Sequence, residues 1–157
     1  MSYSYDILID ARLSLEELSA FLSARCEVPA QGCNRFGQPI HECDEFFCYL
    51  MQPDPDQISM IQNQLRFTPT WRLQSHFETG PSVRPYPVLV GILRKLLADY
   101  DCNFAWLGDC SHPIFLKLDR KITVQGDTSQ TDYWTGYLHQ VAREMGFPFD
   151  VVCMPSF

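Results

Sequence analysis

The stretch Y-P-V-L-V-G-I-L-R-K-L-L-A-D-Y-D-C-N-F-A-W-L-G-D-C-S-H-P-I-F-L-K-L-D-R-K-I-T-V, Tyr86–Val124, decides the fold. In its first part Val88, Ile92 and Leu96 recur at helical spacing, as do Leu89, Leu93, Leu97 and Tyr100. Apolar rows at this spacing mark a helix with a broad buried face, leaving Arg94, Lys95 and Asp99 for water. Pro87 suits the first turn, where its missing N–H has no partner to lose. Three strand-like pieces follow, Asn103–Leu107, Pro113–Asp119 and Lys121–Val124. A helix this apolar needs a sheet to cover it, and those pieces supply one.

Working outward, the chain of 157 residues is long enough for one domain with a real core. Tyr3–Ile9 alternates as a first strand. Ser14 and Glu17 form an S-x-x-E capping box, with Leu13 and Leu18 placed for a hydrophobic staple, so a helix is expected over Leu15–Arg25. Pro29, Gly32, Asn34 and Gly37 mark Glu27–Gln38 as loop. Cys43–Met51 reads as one aromatic-rich strand, stopped by Q-P-D-P-D. Asp56 is placed to cap a short helix over Gln57–Leu65. In Thr70–Glu78, Trp71, Leu73, Ser75 and Phe77 alternate with Arg72, Gln74, His76 and Glu78, the pattern of a half-exposed strand. Trp134, Tyr137, Leu138, Val141 and Met145 follow helical spacing. Gly146 stands at the left-handed position after that helix, and Pro148 lies just beyond. The order, roughly β-α-β-β-α-β-β-β-α, has strands too clustered for a parallel doubly wound sheet. The expected class is α+β: a single domain over 1–157, mainly an antiparallel sheet, with about three helices packed largely on one face.

Composition excludes several function classes. A hydrophobic share of 46% with 20% charged residues is far from the disordered regime. No apolar run approaches the roughly 18 residues a membrane helix needs, and the start of the chain lacks the pattern of a signal peptide, so the cytoplasm is the expected location. Twelve basic against nineteen acidic residues give a formal charge of −7. That surface repels nucleic acid and anionic membrane and speeds encounter with a basic partner, although solubility alone also explains it. The seven cysteines are odd in number and irregular in spacing, which reads as reduced, packed thiols.

No complete catalytic motif is present. His41, Cys43 and Cys48, with Cys110 and His112, are the residues closest to a metal set, but no C-x-x-C occurs, and in one regular strand Cys43 and Cys48 face opposite sides. No metal and no cofactor are therefore expected. Cys110 beside His112 is the one nucleophile pair worth naming; a small cysteine-dependent hydrolase or transferase would use it. G-x-S-x-G, Gly-rich phosphate loops and H-E-x-x-H are missing. Asp54 with Asp56, and Asp99 with Asp101, suit turns and charged faces better than a catalytic pair. What remains is a partner-binding surface: Arg72, Gln74 and His76 on the half-exposed strand, with Asp109, Asp127, Asp132 and Tyr133 in or beside loops. An acidic rim with aromatic anchors is a common build for such a patch, although Trp134, by its helical register, points inward.

The runs L-V-G-I-L-R-K-L-L-A-D-Y-D-C-N-F-A-W-L-G and P-I-F-L-K-L-D-R-K-I-T-V resemble the C-terminal half of small bacterial immunity proteins, in particular the SitI-type group. Such proteins are antidotes encoded beside polymorphic and contact-dependent toxins. The likeness lies in a leucine-rich helix, an aspartate-bearing turn, a strand, and a closing strand pair with Arg120-Lys121 at its turn; the glycine usual at that turn is absent. The resemblance implies a non-enzymatic protein that binds and neutralises one cognate, basic protein toxin. A non-enzymatic adaptor or phage-encoded inhibitor shares the same binding chemistry.

Overall fold

A computed structural model of the chain describes residues 2–43, 46–78, 86–108, 112–126 and 135–157. The first strand, β1 (Ser2–Ile9), leads into α1 (Leu15–Ala20), where the Ser14 hydroxyl accepts the Glu17 N–H at 3.1 Å as the capping box anticipates. The helix continues as a π-helical turn over Phe21–Arg25. Next come β2 (Ala30–Cys33), β3 (Pro39–Cys43), β4 (Phe46–Met51), α2 (Pro55–Leu65) and β5 (Trp71–Glu78). The long helix α3 (Tyr86–Asp99) precedes β6 (Phe104–Gly108), β7 (His112–Leu118) and β8 (Lys121–Gln125). The last elements are α4 (Thr135–Glu144) and β9 (Phe149–Val152).

All nine strands found among the described residues join one sheet in the order β2-β3-β4-β5-β1-β6-β7-β8-β9. Every pairing is antiparallel except β8–β9. The α+β class and the mainly antiparallel sheet are as expected. Four helices occur among the described residues where about three were expected, and they use both faces of the sheet. On the first face Ile7, Ile9, Phe46, Leu50, Leu73, Phe104, Trp106 and Phe115 pack with Leu18 and Leu22, with Leu89, Ile92, Leu93 and Leu96 of α3, and with Val141 and Ala142 of α4. On the second face Leu8, Ala105, Leu107 and Leu116 lie under Ile61 of α2, Phe67 and the C-terminal Met154 and Phe157. β6 is buried along its whole length, because it has cover on both sides. Burying a side chain the size of Phe104 or Trp106 contributes about 1.5–3 kcal/mol each, so this centre holds the sheet together.

Three local expectations are corrected. Cys43–Met51 is not one strand: Cys43 pairs with Phe46 and His41 with Cys48, so β3 and β4 form an antiparallel pair, and Cys43 and Cys48 share a face. The loop expected over Glu27–Gln38 contains β2 and a tight turn in which the Asn34 carboxamide oxygen accepts the N–H groups of Phe36 and Gln38. Helix α2 begins at Pro55, with Asp54 as its cap: Gln57 Oε1 accepts the Asp54 N–H at 3.2 Å, one half of a capping box. Asp119, at the β7–β8 turn, takes φ 54°, the left-handed conformation for which glycine is usual. Its N–H is held by Asn103 Oδ1 at 2.6 Å, which supports that conformation in a residue that tolerates it. Gly146 has φ 73° after α4, as its position implies. No helix among the described residues is long and apolar enough to cross a membrane.

Candidate docking face

Cross-strand register fixes which side chains share the second face. Glu42 pairs with Phe47, Phe47 with His76, and Ile40 with Tyr49; Tyr49 then pairs with Gln74, and Gln74 with Asp6. Because opposed residues point to the same side, β3, β4, β5 and β1 present Ile40, Glu42, Phe47, Tyr49, Gln74, His76, Ser4 and Asp6 together. Helix α2 and the C-terminal tail cover the neighbouring half of this face, over Leu8, Ala105, Leu107 and Leu116. Outside that cover, Ser4, Ile40, Phe47, Tyr49, Gln74 and His76 stay half-buried and Glu42 is exposed.

Phe47 and His76 stack, with ring centroids 5.1 Å apart and planes 17° from parallel. Tyr49 stands edge-on to both, at 5.7 Å from His76 and 5.6 Å from Phe47. These are preferred aromatic geometries, and each side chain limits the others' rotamers. The His76 pKa is lowered from 6.5 by burial, which outweighs the opposing pull of the Asp6 carboxylate, with a smaller lowering from Arg72, so the imidazole is neutral at pH 7.

Further along the same face lies a buried ion pair. Arg72 Nε and Nη2 each donate to an Asp6 carboxylate oxygen at 3.0 Å, a bidentate geometry, and Arg72 Nη1 reaches Asp54 at 3.5 Å. Arg72 was expected on an exposed binding surface. Instead its side chain is 9% exposed and that of Asp6 1%, so it is a structural tie between β5, β1 and the start of α2. Gln74 and His76 do lie together on the open face. Asp109, Asp127, Asp132 and Tyr133, and Trp134 with its expected inward direction, fall outside the described residues. The reading from sequence missed Phe47 and Tyr49; both sit in a stretch whose two alternating rows are apolar, so periodicity could not say which row is covered.

Elsewhere several of the other candidate side chains make structural contacts. A carbonyl only accepts, so His41 Nδ1 must donate to Val28 O (2.7 Å), and its Nε2 accepts the Ser19 hydroxyl (2.8 Å). That arrangement resembles an activated serine, but His41 is wholly buried and the bonds tie β3 to α1. Burial raises the Cys26 thiol to about 11 and those of Cys48 and Cys102 to about 12, so all three stay protonated at neutral pH. Among the described residues no three His, Cys, Asp or Glu side chains are grouped to hold a metal ion. His112 Nδ1 lies 3.3 Å from Ser156 Oγ, while Cys110 is outside the described residues. Asp99 pairs with Arg25, and Asp54 serves α2 and Arg72. A groove of about 430 Å³ beside Trp71 has Arg12 as its sole titratable lining residue.

No family model matches the chain, and no curated protein or solved structure matches it either.

Proposed function

We propose that this is a non-enzymatic binding domain, an immunity protein that neutralises a cognate, basic bacterial protein toxin by docking it on the second face of the sheet. The observation that carries the reading is the ordered cluster of Phe47, Tyr49 and His76, half-buried on a part of the sheet that helix α2 and the tail leave open. Half-buried aromatics inside a polar surround of Ser4, Glu42 and Gln74 are the composition of an interface centre, in which a few rings carry most of the affinity. Charge supports a basic partner. Arg72 is the one cation on this face of β3, β4, β5 and β1 among the described residues, and Asp6 neutralises it. The chain carries −7 overall, which steers a cationic protein toward it and raises its on-rate.

A binder acts by occlusion, so it needs no reacting group. The test is co-purification of the tagged chain with the product of the adjacent reading frame. A stoichiometric complex that suppresses the neighbour's toxicity is the expected result; a metabolic neighbour with no binding contradicts the proposal.

A further inference from the structure

The geometry points to a narrower recognition chemistry: we infer that the Phe47–His76–Tyr49 cluster is a seat for an arginine side chain of the partner, with Glu42 as its counter-ion. This inference rests on the docking-face reading above. Its basis is the combination of ring geometry and charge. Phe47 and His76 form a nearly parallel pair, and Tyr49 stands against them as a wall. Such a platform offers the negative ring faces that attract a cation. Glu42 is the cross-strand partner of Phe47, which places the two side chains as neighbours on the same face, and Glu42 is exposed.

Three features select the occupant. Arg72 is already used by Asp6 and Asp54, so the described part of the face supplies no free cation of its own to fill the seat. A guanidinium is planar and weakly hydrated, so it can stack on a ring and donate a fork of N–H groups to a carboxylate, whereas an ammonium does only the second well. An anionic partner is disfavoured by Glu42, and a wholly apolar one would strand Gln74, Ser4 and Glu42 without hydrogen-bond partners.

The experiment is an NMR titration of the full chain with a short Gly-Arg repeat peptide, alongside the same peptide carrying lysine or the neutral isostere citrulline in place of arginine. The arginine peptide is expected to shift the resonances of Phe47, Tyr49, His76 and Glu42. The lysine peptide should bind several-fold more weakly, and the citrulline peptide should leave those resonances in place. Phe47→Leu keeps apolar bulk without the ring and is expected to weaken arginine-peptide binding about tenfold; Glu42→Gln weakens it as well. Equal binding of arginine and lysine peptides, shifts confined to other acidic surfaces, or indifference to Phe47→Leu each overturns the inference. Concentration-dependent self-association through this face overturns it too, since a second copy would then be the occupant. If no peptide binds there but Phe47→Leu still disrupts a protein partner, the arginine seat is lost while the docking face stands. If Phe47→Leu leaves the partner bound, both fall.

Discussion

Arg72 shows how a single residue can look functional and be structural. Alternation places it opposite the core row of β5, which is correct, but that face is partly covered, and Asp6, 66 positions earlier in the chain, lies beside it. Arg72→Met leaves a carboxylate buried without its partner and is expected to cost about 3–5 kcal/mol of stability by urea denaturation. Adding Asp6→Leu should recover most of that loss, because the charge that made it costly is gone. If Arg72→Met is neutral, the pair is not the buried tie described. His76 supplies a second prediction. Its folded pKa is depressed below 6.5, so the unfolded chain takes up the proton first as pH falls. The neutral ring's share of stability is therefore whole above pH 6.5 and is lost as acid protonates it. His76→Phe should flatten the dependence of the urea midpoint between pH 7.5 and the folded pKa, and an unchanged slope would show that His76 does not contribute it.

Among the elements, periodicity made the long helix α3, the strands after it and α1 legible, since each has one apolar row and a clear start signal. Other elements were hidden for physical reasons. The β3–β4 pair has apolar residues on both sides of β4, so nothing in the pattern breaks one strand into two. β2 is wholly exposed, and an edge strand with no buried side carries no hydrophobic signature. β9 is short and mostly exposed, yet Gln125 explains why the tail joins the sheet. Its carboxamide donates to Pro113 O and Met154 O and accepts from Met154 N, at 3.0, 2.8 and 2.8 Å. Gln125→Ala is expected to destabilise by about 1–3 kcal/mol and to raise hydrogen exchange over residues 149–157. Exchange unchanged there would show that the strand pairing alone secures the tail. The edges also carry reactive thiols: Cys33 and Cys153 are exposed, whereas Cys48 and Cys102 are buried with raised pKa values. Iodoacetamide at pH 7.5 should modify Cys33 and Cys153 in the native protein and reach Cys48 and Cys102 only after unfolding. Early labelling of Cys48 would contradict the core described.

At the scale of the molecule, one sheet carries cover on its first face, and the described residues cover only part of its second. The uncovered part is where Phe47, Tyr49, Gln74 and His76 meet. Half of that set, Gln74 and His76, was readable from the alternation of β5. The aromatic half was not, because which strands neighbour β5 is a matter of topology: β4 and β1 flank it, and only the pairing places Phe47 and Tyr49 against it. Acidic charge alone would serve solubility equally well, and it acquires a direction only once the aromatic cluster marks a face. The most direct test measures affinity for the basic protein toxin proposed as its partner, by calorimetry, with a Phe47→Ala/Tyr49→Ala variant whose fold is verified by circular dichroism. The account predicts a loss of about 2 kcal/mol or more, roughly thirtyfold in Kd, with Glu16→Gln on α1 unchanged as a control. Wild-type affinity in the double variant would contradict it.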